Sequence, residues 1–449
     1  MKKEVLSFIL VGLVTGSLWA QDSGAKLTFK NAVKLGLENN LLLNQQKNQL
    51  IYTEVNKTSN LLQMTPSVQV NGSAGRFDGN SFNQQRGEVV NGQIDFLNGS
   101  LGTSLPIFNG FNQMNAYRQA SSQNEAQLSF VNRTAQDVIR NVASQYLNCL
   151  LDQQLVIIDE QNLQTQKTQY EQIRTQVELG SRAEADVFNQ EFQVRNAELL
   201  LVRSKNRLKN DKAILAQTLM IDPIVAFELE QVNWGIDDLS VDQATVEQLN
   251  DLALEHRSDL MQANFSEKSA LYGFYSVRGR YYPSLSAFGQ LSSRYNYIYG
   301  DTENRSFNQQ FKSDNRQISY GLQLTVPIFN GFISRAQVTQ QKILFENAKL
   351  NTKNVEIKVK TDVLLAYQNF IDAKANYTSA EAQLKAGELA YKVEKERFDL
   401  GISSIVQLTL ANQSFIKAQS DYASALFLLM FQKLLVNYAT GTLQETDIP

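Results

Sequence analysis

The chain has 449 residues, a formal net charge of −3, one cysteine and one histidine. The nearly neutral charge gives no sign of a nucleic-acid partner, and the lone Cys149 and lone His256 are too few ligands for a zinc or copper site. The chain also has no phosphate-binding glycine loop and no nucleophile motif, so we predict no enzyme, no cofactor and no metal.

Residues 1–20 have the layout of a secretory signal peptide. Lys2 and Lys3 precede a short apolar run that ends at the small residue Ala20. The alternative is a membrane anchor, for which this run is short and contains glycine. Past residue 20 we see no apolar stretch of the ~18–20 residues that a membrane-spanning helix needs. We therefore expect an exported chain that is periplasmic, secreted or held in an outer membrane by β-strands.

The rest of the chain is doubled. LPIFNGF at 105–111 returns as VPIFNGF at 326–332, an offset of 221 residues, and an offset of 217 relates Pro66 to Pro283. We predict repeat 1 at 21–219, a linker at 220–243, repeat 2 at 244–437 and a C-terminal tail at 438–449.

Proline positions separate strands from helices in each repeat. No proline lies between Pro106 and Pro223 or between Pro327 and Pro449, and good helix formers fill both spans. We expect Pro106 and Pro327 to end a strand, and Gly110 and Gly331 to let the chain turn into a long helix. The predicted long helices are 110–179 and 331–400, each about 105 Å long, and the return helices are 182–219 and 403–437.

Between the prolines of each repeat, apolar and polar residues alternate with period two, which predicts strands. In the clearest stretch, Leu285, Leu291 and Tyr295 share one face while Ser284 and Gln290 share the other. The apolar face could cover a soluble core, but the flanking segments are long helices, and a lipid-facing surface with a polar lumen fits better. Since ~8 strands are needed to close a barrel, several chains must contribute four strands each. The predicted strands are 66–77, 94–108, 283–299 and 315–329.

The chain resembles the TolC family of outer-membrane export channels over nearly all of its length after residue 20. The resemblance rests on the order and spacing of LTFKNAVKLGLENN (27–40), ALEHRSDL (253–260), both PIFNGF motifs and RFDLGISSIVQLTLANQ (397–413). It implies a mixed α and β homotrimer in which one 12-stranded outer-membrane β-barrel continues as a 12-helix periplasmic α-barrel. Helices 41–65 and 258–281 would lie beneath the barrel, and the linker and C-terminal tail would form an equatorial region.

The resemblance also implies a periplasmic tip at the two helix turns, which carries the gate and docks an adaptor protein. Arg182 would take part in a latch, Asp186 would form a threefold carboxylate ring that favours cations, and Glu184 would add to its field. The alternative is an ordinary i,i+4 surface pair of Arg182 with Asp186. The other tip residues on this pattern are Leu179, Gly180, Ser181, Leu400, Gly401, Ile402 and Ser403.

Two departures bear on the latch. The best-known family members carry the Arg and Asp in the second repeat, where Gln407 stands in this chain. A tyrosine often found three residues before the glycine is Val177 in one copy and Phe398 in the other.

The predicted function is that of a passive export duct. It would be the outer-membrane channel-tunnel of a tripartite efflux or type I secretion system, with a periplasmic adaptor and an inner-membrane pump of RND or ABC type as partners. The alternatives are a trimeric surface fibre or adhesin with a membrane anchor, and a periplasmic enzyme. A fibre does not need two lipid-facing hairpins between long helices, and an enzyme lacks its usual residue constellations here.

Overall fold

A computed structural model describes residues 26–83, 87–224, 227–230 and 245–444. The predicted signal peptide, most of the predicted linker and the last five residues of the predicted tail lie outside these ranges. Within them, apart from one short helix in the second hairpin, the same order of helices and strands occurs twice, after a short strand β1 (Lys26–Leu27).

The first repeat contains α1 (Phe29–Asn39), α2 (Leu41–Leu62), β2 (Ser67–Asn83), β3 (Glu88–Asn109), α3 (Asn112–Glu178) and α4 (Glu184–Leu219). A short strand β4 (Glu228–Leu229) follows and pairs in parallel with β1. The second repeat contains α5 (Val246–His256), α6 (Ser258–Arg278), β5 (Ser284–Ile298), α7 (Phe307–Gln309), β6 (Gln317–Thr325), α8 (Ile333–Asp399) and α9 (Ile405–Thr440).

The long helices of the two repeats correspond residue for residue. Helices α3 and α8 have 67 residues each, and α4 and α9 have 36 each. Their first and last residues all differ by the 221-residue offset seen in the PIFNGF motifs. At 1.5 Å per residue, α3 and α8 are about 100 Å long.

The strands form one antiparallel sheet in the order β2-β3-β5-β6. Its register places Val70, Leu101, Leu291 and Ile318 side by side across all four strands. Because side chains alternate along a strand, the neighbouring row, which includes Gln290, lies on the opposite face. The first face is therefore largely apolar and the second largely polar, with exceptions such as Phe288 on the second face.

The strand ends differ from the predicted ones. The first hairpin is longer than predicted, since β2 runs to Asn83 and β3 starts at Glu88; backbone pairing continues there through polar residues and through the Phe82–Val89 pair. Pro106 does not end β3: it pairs with Ser286, and a bulge between Pro106 and Phe108 accommodates the missing N–H.

The second hairpin also departs from its prediction. Strand β6 ends at Thr325, short of the predicted 329. Between β5 and β6, a π-helical turn at Gln310–Asp314 follows α7. Gln310 donates to the backbone carbonyl of Asn296 and accepts from its N–H, and so covers the edge of β5 beyond β6.

A hydrophobic core lies midway along the long helices, where α1 packs on α3. A Cβ added to Gly36 would approach Val142 Cγ2 to 2.7 Å, so only glycine permits this helix contact. The buried hydroxyl of Tyr146 donates toward the backbone oxygens of Leu27 and Glu230, both at 2.8 Å, which ties the β1–β4 ribbon to α3. The segment 27–40 is thus a structural element of this core.

Helix α9 corrects one expectation from the sequence. It is the one helix in the described ranges that is long and apolar enough to cross a membrane, although no such stretch was expected after residue 20. Of its most apolar 18-residue window, 44% is buried, and Leu429, Met430 and Leu434 lie in the core. Packing against other helices therefore accounts for part of its apolar composition.

Arg257 joins three helices behind this core. Its side chain is 1% exposed and contacts Asp259 through two nitrogens, at 2.5 and 2.9 Å. It also contacts Asp362 of α8 at 3.0 Å and the carbonyl of Ala439 in α9 at 3.2 Å. The segment ALEHRSDL therefore supplies a buried ionic clamp that fixes the α5–α6 corner to α8 and α9.

Arg257→Ala is expected to lower the free energy of unfolding by about 3–5 kcal/mol, because it leaves two carboxylates without their buried cation. Thermal unfolding followed by circular dichroism measures the effect. Arg195→Ala, which removes an exposed arginine paired with Glu191 and Glu198, is the control and should change stability by less than about 1 kcal/mol. Equal effects of the two variants would refute the clamp.

A second prediction concerns Asp152 of α3, which is 1% exposed and lies 2.9 Å from Arg207 Nε. Burial, together with the neighbouring Asp211 carboxyl, raises the pKa of Asp152 to about 7, against the attraction of Arg207. In the unfolded chain its pKa is near 3.8, so between these values the folded state binds more protons. Its contribution to stability therefore falls as the pH rises from about 4 to 7.

Asp152→Asn should remove this pH dependence. Thermal midpoints at pH 5 and pH 8 should differ less in the variant than in the unmodified protein. Asp372→Asn, on the exposed face of α8, is the control and should leave the difference unchanged.

Candidate functional site: the paired helical turns

The two helical hairpins, α3–α4 and α8–α9, end in turns of the same construction. Gly180 and Gly401 adopt the left-handed conformation, with φ of 74° and 72°. The N–H of Ser181 bonds to Gln176 O and that of Ile402 to Arg397 O, both at 2.9 Å. This is the Schellman ending of a helix, in which glycine takes the left-handed position without a steric penalty.

A small apolar cluster holds the two hairpins together just above these turns. Ile173 of α3 and Phe398 of α8 are buried there together with Ile405 and Leu408 of α9. Its residues come from both repeats, so the cluster is a contact between the hairpins as well as within them.

Arg182 extends from the first turn to this cluster. Its guanidinium carbon lies 4.1 Å from the centre of the Phe398 ring, a cation–π contact between the hairpins. Its Nη1 lies 3.9 Å from Asp186 Oδ2, and the two side chains are only 16% and 27% exposed. The i,i+4 pair is therefore present, but it is partly buried, and its arginine also contacts the other repeat.

The two acidic residues beside the first hairpin turn lie at the N-terminus of α4. Glu184 is exposed and Asp186 is partly buried. The preceding residue, Ala183, provides no side-chain cap, so both carboxylates stabilise the positive end of the α4 dipole. They also concentrate negative charge at one end of the molecule.

The second turn uses different chemistry at the equivalent positions. Ser404 and Gln407 form a capping box, in which each side chain accepts from the other residue's backbone N–H. Ser403, at the position of Arg182, bonds through its hydroxyl to Glu394 and Gln407. Gln407 is therefore engaged in helix capping, and the second turn lacks a counterpart of the Arg182–Asp186 pair.

Both turns expose large apolar side chains. Leu179 is 78% exposed, Leu400 74% and Ile402 67%. Bulky apolar residues at the far end of a hairpin have no packing partner in the described chain. They form an apolar surface beside the charged residues of the first turn.

Sequence reasoning missed a buried amide network farther up the hairpins. Asn412 of α9 donates to Asn162 Oδ1 of α3 at 3.1 Å, and Gln190 of α4 donates to Gln166 Oε1 at 2.8 Å. All four side chains are at most 8% exposed. The available signal was spacing: Asn162 and Gln166 continue the buried stripe of α3 between Ile158 and Ile173 at helical intervals.

The strand-to-helix junctions lie at the opposite end of the long helices, and the two differ in how tightly they are packed. At Gly110 an added Cβ would lie 2.2 Å from the carbonyl oxygen of Gly279, so the first junction is tightly packed. At Gly331 no described atom would lie within 4 Å. Pro106 lies at the β3 bulge, whereas Pro327 follows the end of β6.

The part of the chain that the structure describes contains no group of three or more His, Cys, Asp or Glu side chains placed to hold a metal.

Comparisons with known proteins agree on one family. Residues 37–219 and 249–427 match the family described as outer membrane efflux protein. The outer membrane protein TolC of Vibrio cholerae is 23% identical over 332 residues, 74% of this chain and 72% of that protein. The probable efflux pump outer membrane protein TtgC of Pseudomonas putida is 22% identical over 372 residues, 80% of this chain and 70% of that protein.

The fold is also that of solved outer membrane proteins. The crystal structure of VceC from Vibrio cholerae aligns with a TM-score of 0.79 over 92% of this chain and 96% of that chain, at 14% identity. At that identity the likeness concerns the fold.

Phe398→Ala is expected to loosen the tip, because it removes the ring that Arg182 covers and leaves a cavity costing about 3–5 kcal/mol. Amide hydrogen exchange should rise in both turns and stay unchanged around Tyr146. Leu400→Ala, at a neighbouring exposed position, is the control and should leave exchange in the first turn unchanged. Unaltered exchange in the first turn of the Phe398 variant would show that the hairpins do not depend on this contact.

Proposed function

The chain belongs to the outer membrane efflux protein family, and we propose that it is the outer-membrane channel of a tripartite efflux or type I secretion system. It conducts passively what an inner-membrane pump hands over through a periplasmic adaptor. The observation that carries this proposal is the position of the sheet. A four-stranded sheet with one apolar face lies at one end of two ~100 Å helical hairpins, and the charged turns lie at the other.

The dimensions of the apolar face support a membrane location for the sheet. From Leu285 to Tyr295 there are ten residue steps, or about 33 Å along the strand. A tilt of ~40° reduces this to about 25 Å, the height of the apolar band in outer-membrane barrels. Arg76, Asp95 and Tyr299 form a hydrogen-bonded cluster directly beyond this band, where a strand would leave the lipid.

A homotrimer would provide hydrogen-bond partners for the edge strands of the sheet. Four strands leave two edges without hydrogen-bond partners, and such edges do not occur in lipid. Three chains would supply 12 strands for a closed barrel and 12 helices for a tunnel. The helical part then extends into the periplasm, as the family's outer-membrane location requires.

The helical turns would be the docking and gating end of this duct. Leu179, Leu400 and Ile402 offer the apolar surface for an adaptor. Arg182, Glu184 and Asp186 would form the gate, with the carboxylates repeated three times around the entrance. The support for a latch is the Arg182–Phe398 contact between the hairpins, which must break if α8–α9 moves away from α3–α4. An adaptor opens the gate by binding the open arrangement more tightly.

The test is single-channel conductance of the purified protein in a planar bilayer. Arg182→Ser should raise the conductance, because it removes both the ring contact and the ion pair. Asp186→Asn should lower the preference for cations several-fold. Glu178→Gln, which removes an exposed carboxylate paired with Arg174, is the matched control and should change neither quantity.

The other outcomes have separate meanings. If neither variant changes the conductance, the protein is a channel but its gate does not lie at the first hairpin turn. A folded oligomer without conductance, even after Arg182→Ser, would refute the channel and favour the surface fibre.

A further inference from the structure

The polarity of the sheet reverses at its far end. Phe77, Ile94 and Ile298 lie side by side on β2, β3 and β5, and strand alternation places all three on the second, largely polar face. In the neighbouring row, on the first face, Arg76 pairs with Asp95. Beyond the apolar band, polar side chains therefore lie on the first face and apolar side chains on the second.

Phe96 completes this apolar group. Its ring lies over Gly75 of β2, where an added Cβ would come within 2.9 Å of the ring, so glycine leaves the space that the ring occupies. Ile94 is only 8% exposed, whereas Phe77 remains 44% exposed. We call Phe77, Ile94, Phe96 and Ile298 the apolar floor. On a face that otherwise carries mainly polar side chains, this floor offers a contact surface for an apolar group.

The loop between β5 and β6 is fixed beside the floor by amide side chains. Asn304 donates to the carbonyl of Ile298 at 2.6 Å and accepts from its N–H at 2.9 Å. Gln310, which is 3% exposed, makes the same two bonds to Asn296, at 2.9 and 3.1 Å. The two amides thus bond to alternate residues along the edge of β5, where a neighbouring strand would bond. The loop therefore has a defined position, as a preformed binding site requires.

A cavity of about 490 Å³ lies between the apolar floor and this loop. Its volume is in the range of small-molecule sites. The charged residues that line it are Asp301, Glu303 and Arg294, so the lining has a net charge of −1. The phenylalanine rings of the floor add the negative potential of their faces, which attracts cations.

We propose that this cavity binds an organic cation with a flat apolar body, of which an aromatic quaternary ammonium ion is a simple form. The floor would cover the apolar body, and the carboxylates and ring faces would attract the charge. The net charge of the lining disfavours an anion, and a fully hydrophilic ion gains nothing from the floor. The cavity belongs to one chain, so binding does not depend on assembly, whereas its place at the outer exit of a duct rests on the proposed function.

Ligand-observed NMR titration of the purified full-length protein tests the site with three probes. Benzyltrimethylammonium has both ring and charge, tetramethylammonium has the charge alone, and benzyl alcohol has the ring alone. Benzyltrimethylammonium is expected to bind several-fold more tightly than either of the other two. Equal binding of either partial probe would overturn the proposed ligand class.

Two variants locate the binding. Phe77→Ser removes a ring from the floor, and Asp301→Asn combined with Glu303→Gln removes both carboxylates of the lining. Each should weaken benzyltrimethylammonium binding several-fold. Asn at position 301 keeps the side-chain oxygen that accepts from the Glu303 N–H, so the loop variant keeps the test valid if Phe77→Ser does not fold.

Phe288→Ser is the matched control. Phe288 is an aromatic residue of the same face with a similar exposure, 39%, eight residues along β5 from Asn296, or about 27 Å. This change should leave binding unaltered. Binding that neither test variant weakens would place the probe elsewhere and overturn the inference.

Single-channel conductance of the same preparations separates this inference from the proposed function. Conductance without benzyltrimethylammonium binding would overturn the inference and leave the channel intact. Binding that both test variants weaken, in a protein without conductance, would support the site and refute the channel.

Discussion

The sheet is governed by one constraint: inside a bilayer, backbone N–H and C=O groups must hydrogen-bond to each other, because no water is present to bond to them. The sheet meets that requirement between its strands and fails at its two outer edges. Its apolar face makes lipid the suitable surroundings for the exposed apolar residues along β2 and β6. The proposed assembly is the arrangement that would give the two edges their hydrogen-bond partners.

Duplication explains both the regularity of the fold and its meaningful exceptions. Helices of equal length, equal hairpin registers and equal Schellman turns show that one structural solution serves twice. Against this regularity, the differences between the copies stand out. The clearest is the turn pair, in which Arg182 and Asp186 of one copy correspond to Ser403 and Gln407 of the other.

Prolines and periodicity were enough to predict the long helices and the two faces of the sheet, because these depend on residues near each other in the chain. The contact of Arg182 with Phe398 joins residues 216 positions apart, and nothing in either local pattern indicates it. The same holds for the bulge at Pro106 and for the clamp of Arg257, since both depend on a partner brought in by tertiary packing. The apolar length of α9 was missed for a related reason: the residues that it buries in the core are assigned only by tertiary packing.

Because α3 is one continuous helix that is anchored at the core, a rotation there would displace its far end. Tyr146, anchored to both strands of the β1–β4 ribbon at their carboxyl ends, lies 32 residues from the end of the helix at Glu178, about 48 Å away. A rotation of only ~5° at that point would displace the tip by roughly 4 Å on this geometry. Small adjustments of packing at the core would thereby be amplified into a tip movement comparable with the radius of a solute, with every internal hydrogen bond of the helix kept.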